Sequence, residues 1–446
     1  MRLNPASLHP AIDTNPALEK KTVSRLLWRL LPFLFLLYIV AFLDRINVGF
    51  AALQMQKQLG LNDRVYGLAA SIFFAGYFFF QLPSNLVLAK VGARRWIAVI
   101  MVAWGVISCS MALVNTPREF YALRFLLGVA EAGFFPGMIL YLRSWFPAGA
   151  RARAVAWFMT ANPLAGVIGG PISGALLGMH QLGIAGWQWL FVLEGAPAII
   201  LALVVLATLK DNPAQAAWLG SEEKLWLVAT LESEREQQAK ISGSDIWAAF
   251  LNWRIWLLTV VFFGLTTSGY GIVLWLPKFI HSLSEAGNLR IGFISVIPYA
   301  VAAIGMVLVG THSDRTGERR WHLAGSALTA AAALVLAAYT HSIVPALAAI
   351  SLGLTATFSM QGPFWATATS LLSGTAAAAG IALINSVGNL GGFFGPYIIG
   401  VKRSSGGGFR GGMLIIAGFL ALAAFLATVV RPPREAAVPH PSNPLQ

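Results

Sequence analysis

The chain has 446 residues, 57% of them hydrophobic and 11% charged, with a formal net charge of +13. Soluble domains carry about 25% charged residues, so this composition and the mean hydropathy of +0.69 exclude a soluble protein. Apolar runs of about 20 residues exclude a β-barrel and indicate spanning helices, and the single cysteine, Cys109, excludes an internal disulfide or a cysteine metal framework.

In chain order, residues 1–26 read as a disordered cytoplasmic tail without the pattern of a cleaved signal peptide. Six apolar segments follow within 27–209, at about 27–50, 66–88, 96–115, 119–142, 153–178 and 188–209. Residues 210–254 form a polar cytoplasmic loop rich in Glu, Lys and Arg. Six more segments lie within 255–430, at about 255–279, 291–311, 322–340, 344–366, 377–400 and 410–430. The Pro-rich tail 431–446 reads as disordered. With the N-terminus inside, 21 of the 31 Lys and Arg fall on the cytoplasmic side and eight on the other. The remaining two, Arg45 and Arg124, lie within spans. This bias supports twelve spans with both termini cytoplasmic. The basic residues lack the interleaved aromatics of a nucleic-acid surface, so no nucleic-acid partner is expected.

The halves repeat. Val91-Gly92-Ala93-Arg94-Arg95-Trp96 matches Thr316-Gly317-Glu318-Arg319-Arg320-Trp321 at an offset of 225, and Gly170-Pro171 matches Gly395-Pro396 at the same offset. The expected architecture is an all-α membrane protein of two pseudo-symmetric six-helix bundles, a plan that places substrate between the repeats. The glycines of the two loops suit tight turns that need positive φ.

Charges inside spans need a reason, because each costs about 2.5–3.5 kcal/mol at the bilayer centre on insertion scales. Asp44 and Arg45 sit in span 1, and Arg124 and Glu131 share a face of span 4 seven residues apart. A structural quartet of paired ions is one reading. The reading preferred here is functional. Burial and a neighbouring arginine push a carboxyl's titration in opposite directions, which suits Asp44 and Glu131 to proton coupling. A cavity-facing arginine is a bidentate partner for a substrate carboxylate, and the sequence does not choose between Arg45 and Arg124. Their counterparts at offset 225 are Gly269, Tyr270, Ala349 and Ala356, so the second half carries no such charges. Its candidates for reading the rest of a substrate are Tyr270, Gln361, Trp365, Asn385 and Asn389, with helix-packing contacts as the alternative role.

The loop containing Asp314, Arg315, Gly317, Arg319 and Arg320 resembles the signature loop of the major facilitator superfamily. Its first-half copy keeps Lys90, Gly92, Arg94 and Arg95 but has Ala89 where the second has Asp314. Both loops are expected to act as gating latches, with topology-setting charge as the alternative. Asp44-Arg45-Ile46-Asn47, Pro83-Ser84-Asn85, Gly92-Ala93-Arg94-Arg95-Trp96 and Ala130-Glu131-Ala132-Gly133-Phe134-Phe135-Pro136-Gly137 together resemble the anion:cation symporter family. That resemblance implies the major facilitator fold in a cell inner membrane, and uptake of organic anions such as sugar acids, tartrate or aromatic carboxylates, generally with protons. It also implies no cofactor beyond protons, no metal, no enzymatic activity and a functional monomer. By the same resemblance Trp365 and Asn385 contact a hydroxylated acid, while Tyr77 and Asn162 fall at first-half cavity positions. An exporter or antiporter on the same fold, and a transport-inactive sensor, are the alternatives. Glu194 is expected near the outer surface, exposed or locally paired. Trp275-Leu276-Pro277 is expected at the outer end of span 7, with Trp275 at the membrane interface.

Overall fold

The computed structural model describes residues 16–241, 250–371 and 375–430, and every regular element among them is helical. The first half contains α1 (Pro16–Gln58), α2 (Asp63–Val91), α3 (Ala93–Ser110), α4 (Pro117–Glu131), α5 (Phe134–Trp145), α6 (Ala148–Met159), α7 (Ala161–Leu176) and α8 (Gly186–Thr208). After α9 (Ser221–Ile241) come α10 (Trp253–Ser284), α11 (Asn288–Thr316), α12 (Arg320–Tyr339), α13 (Ile343–Ser359), α14 (Gln361–Leu371), α15 (Thr375–Asn389), α16 (Gly391–Lys402) and α17 (Arg410–Val429). Eleven segments among the described residues are long and apolar enough to cross a membrane. The expected eleventh span, 377–400, falls on α15 and α16.

Local sequence explains the boundaries. The Asn62 side chain caps α2 by accepting from the Val65 N–H, and Thr116 caps α4 ahead of Pro117. Gly92 and Gly317 take φ of 91° and 67°, so the two repeated loops turn where a residue with Cβ would be strained. Four spans are broken near their middle: α4 from α5, α6 from α7, α13 from α14, and α15 from α16. In α5, α7 and α14 the third residue is proline (Pro136, Pro163 and Pro363). Proline has no N–H to return to the carbonyl four residues earlier, which here belongs to Ala132, Met159 and Ser359.

Within the first half α2 packs on α4, α3 on α8, and α1 on α7 and α8. In the second, α12 packs on α13 and α17, and α10 on α16 and α17. Among the described residues the halves meet mainly through α7 with α11, α2 with α16, and α1 with α10, and also through α2 with α15. Two of these contacts repeat the internal symmetry. Gly67 on α2 abuts Gly400 on α16, while Gly292, its counterpart at offset 225, abuts Gly170 and Gly174 on α7. Side chains there would hold the backbones apart.

Three expectations are corrected. The tail expected over 1–26 is helical from Pro16, and Arg25 pairs with Glu223 of α9 at 2.5 Å. The polar segment 210–254 is not only a loop: α9 is fastened to the first half by that pair and by Glu234 with Arg151 at 2.8 Å. Its acidic residues find cations already displayed on α1 and α6. Trp275 does not sit at a membrane interface; it is 1% exposed, and its Nε1 donates to the Pro396 carbonyl at 3.1 Å. The expected tail segments 1–15 and 431–446, and residues 242–249 of the central segment, lie outside the described residues.

Candidate functional site

A cavity of about 780 Å³, partly continuous with solvent, lies between the halves. The four helix breaks surround it, which is why Phe135, Met159, Asn162, Phe358, Gln361 and Asn389 all reach its wall. Its lining joins Arg45, Tyr77 and Asn162 of the first half to Tyr270, Gln361, Trp365, Asn385 and Asn389 of the second. Asn389 donates to Asn385 Oδ1 at 3.2 Å, and Trp365 meets Phe262 edge-on at 5.1 Å between centroids. Sequence reasoning missed the apolar walls, including Tyr38, Phe42, Phe135, Phe262 and Phe358. The prolines three residues into α5, α7 and α14 were the available signal for the depth at which the cavity forms.

The charged quartet divides. Arg45 is the one cationic group on the cavity wall among the described residues. Its Nη2 donates to Glu131 Oε2 at 2.6 Å, and its Nη1 donates to the Tyr270 hydroxyl at 3.1 Å. Arg45 and Tyr270 are counterparts at offset 225, so they meet where the two halves face each other. The guanidinium also lies 5.2 Å from the Phe73 ring centroid and 5.5 Å from that of Tyr77. Glu131 is fully buried behind Arg45 and does not line the cavity.

Arg124 and Asp44 are placed elsewhere. Arg124 is fully buried; its Nε donates to the Ala69 carbonyl at 3.3 Å, and its guanidinium lies 5.1 Å from the Phe73 centroid. Phe73 thus stands between the two arginines, and Arg124 is not brought to the cavity wall. Asp44 points away from the cavity into the first half, where Ser108 Oγ and Asn47 Nδ2 donate to it. One residue along a helix is about 100° of rotation, so adjacent Asp44 and Arg45 cannot share one face.

Glu194 is locally paired, one of its expected settings, but is buried rather than at the outer surface. It is 5% exposed, in α8, and accepts from Ser173 Oγ at 2.7 Å. The helix starts at Gly186, two turns before it, so Glu194 sits well inside the bundle.

The two loops expected to gate stay within their own halves. The Arg94 N–H donates to Asp211 Oδ1 at 3.1 Å, and its guanidinium donates to the Leu206 carbonyl. Lys90, Arg95, Asp314 and Arg315 are exposed. The Arg320 guanidinium lies 5.1 Å from the Trp321 ring centroid, and Arg319 precedes α12. Among the described residues none of these groups forms an ion pair across the halves. The halves are latched at the other end, through residues sequence reasoning did not single out. Asp63 on α2 pairs with Lys278 of α10 and with Arg403 at 2.9 Å, while the Tyr66 hydroxyl donates to the Leu274 carbonyl at 2.5 Å.

Two helical bundles around a polar cavity, with charges held inside the spans, define a multi-pass membrane transporter. The chain belongs to the Major Facilitator Superfamily, whose sequence pattern it matches over residues 34–396. These transporters are not enzymes. A candidate tartrate transporter of Agrobacterium vitis is 49% identical over 93% of this chain and 96% of its own length. A protein of Acinetobacter baumannii named a quinolone resistance transporter is 41% identical over 89% of this chain and 92% of its own. The solved structure of a D-xylose–proton symporter superposes with a TM-score of 0.73 at 16% identity, covering 91% of this chain and 98% of that one. That likeness bears on fold alone.

Proposed function

We propose that this protein is a proton-coupled symporter that takes up a small hydroxylated organic acid across a bacterial inner membrane. The observation that supports it best is the single cavity-wall cation, Arg45, already held by a buried carboxylate, Glu131. A substrate carboxylate and Glu131 compete for one guanidinium. A proton taken up by Glu131 releases Arg45 to the substrate; departure of the substrate returns Arg45 to Glu131 and expels the proton. The coupling is therefore a competition between two carboxylates, and it needs no cofactor. The Asn385–Asn389 pair, Gln361 and Asn162 offer donors and acceptors suited to hydroxyl groups. The relationship to a candidate tartrate transporter is in keeping with such a substrate. Asp44 is proposed to titrate in the same cycle from behind the cavity. With both termini in the cytoplasm, the Asp63 latch closes the outer end and the conformation faces inward. The Gly92 and Gly317 loops are then the latches that engage in the opposite state. The transporter is proposed to work as a monomer.

A competition panel on proton-driven uptake in proteoliposomes tests the substrate assignment. Tartrate and sugar acids should compete, and unsubstituted dicarboxylates of equal length should compete less well. The quinolone-resistance relative supports a second reading, efflux on the same fold. Preferential competition by quinolones, with transport driven out of the proton-rich compartment, would favour it.

A further inference from the structure

Behind the cavity, four helices of the first half bring together five polar side chains: Asp44 and Asn47 from α1, Ser108 from α3, Ser173 from α7 and Glu194 from α8. None of them lines the cavity. Asp44 and Asn47 are 0% exposed and Glu194 5%. The hydrogen bonds use one oxygen of each carboxyl: Asp44 Oδ1 accepts from Ser108 and Asn47, and Glu194 Oε1 accepts from Ser173. Three buried oxygens then have no protein donor, namely Asp44 Oδ2, Asn47 Oδ1 and Glu194 Oε2. Glu194 lies close enough to Asp44 and Asn47 to interact with both. Within these five side chains the surplus is entirely of acceptors, while Arg124 Nη1 and Nη2 nearby are buried donors without a partner.

The charges show the same imbalance. The buried core of this half holds three acids, Asp44, Glu131 and Glu194, against two cations, Arg45 and Arg124. Arg45 is engaged by Glu131. Arg124 lies near enough to interact with Glu131 and Asp44, and among the described residues no cation faces Glu194. Among the described residues α8 packs on α1, α3, α7 and the short helix Met111–Leu113, which carries no titratable side chain. From them the titratable group facing Glu194 is Asp44; Cys109 of α3 contacts the Val192 carbonyl at 3.6 Å, and α7 presents the neutral Ser173. An unpaired carboxylate buried in this setting carries a desolvation penalty of several kcal/mol.

We propose that Asp44, Asn47 and Glu194 form a cation site separate from the transport cavity, and that it holds one proton, carried by Glu194. The proton comes from solvent and bonds to Glu194 Oε2, which turns from acceptor to donor; Asp44 Oδ2 or Asn47 Oδ1 accepts the resulting hydrogen bond. No other bond changes. That single proton brings three acids and two cations to neutrality. Its consequence for coupling rests on the symport reading above: the proton at this site adds to the one exchanged at Glu131 and moves only when that exchange drives the cycle. Occupancy of the site stands without that reading, because it follows from burial and charge balance.

Infrared difference spectroscopy on purified protein in lipid nanodiscs, at neutral pH, tests occupancy without transport. The wild-type protein should show a carboxylic-acid C=O band that disappears in Glu194→Gln and persists in Glu131→Gln. Labelling the wild type with 13C-carboxyl Glu, and separately with 13C-carboxyl Asp, keeps the test independent of variant folding. The Glu label should shift the band and the Asp label should leave it in place. Absence of the band at neutral pH, its loss in Glu131→Gln alone, or insensitivity to the Glu label would overturn the proposal. Loss of the band on adding sodium at constant pH would also overturn it, by making the site one for sodium.

Discussion

Removing Arg45 should separate the stability of the fold from recognition of the anion. The Arg45–Glu131 pair is 2.6 Å long, with the two side chains 11% and 0% exposed. Deleting one partner of a buried ion pair costs about 3–5 kcal/mol, because the other charge is left without compensation. Arg45→Ala should therefore lower thermal stability sharply at neutral pH. Adding Glu131→Gln removes the stranded charge and should restore most of that loss. Binding should not return with it. A bidentate guanidinium–carboxylate contact contains two charge-assisted hydrogen bonds of about 1.5–3 kcal/mol each, so the double variant should bind anion at least about 100-fold more weakly than wild type. Thermal melting and isothermal titration calorimetry on the four proteins of the cycle measure both quantities. A double variant that melts like wild type and binds within a few-fold of it would refute the assignment of Arg45 as the anion receptor.

Two other perturbations follow from the same geometry. Replacing Asn385 or Asn389 with Ala removes one member of a 3.2 Å amide pair on the cavity wall. Each should weaken binding of a hydroxylated acid by about 1 kcal/mol, roughly 5-fold, while leaving its deoxy analogue nearly unchanged; equal losses for both would argue against hydroxyl recognition. Asp63→Asn breaks both ion pairs of the closed end, whose side chains are partly exposed. Pairs of that kind contribute up to about 1 kcal/mol, so the population open at that end should rise several-fold, read by single-molecule distance measurements across α2 and α16. An unchanged distribution would show that the glycine contacts, not the charges, hold that end.

The bundle plan was legible because hydropathy, loop charge and the offset of 225 all report on the backbone repeat. Arg45, Tyr270, Asn385 and Asn389 were legible because polar groups in apolar runs are few. Side-chain direction was not. Asp44 and Arg45 are adjacent in the chain, yet one faces the cavity and the other the core of the first half. Arg124 resembled Arg45 in residue type and setting, but Phe73 and the α2 backbone enclose it. Glu194 was misplaced because its nearness to a span end in sequence suggested solvent, whereas α8 begins two turns before it. The Asp63–Lys278–Arg403 latch was hidden among loop charges that serve topology equally well, and only proximity between α2, α10 and the end of α16 reveals it. The apolar cavity wall carries no distinguishing composition at all.

The central claim is that one guanidinium is shared between Glu131 and the substrate, which makes proton and anion movement interdependent. Radiolabelled tartrate uptake into proteoliposomes, for wild type and Glu131→Gln, measures that interdependence directly. Wild type should accumulate the anion against its gradient when the outside is acidic and lose that ability with a protonophore, whereas Glu131→Gln should exchange anion for anion without accumulating it. Accumulation by Glu131→Gln that still follows the proton gradient would contradict the account.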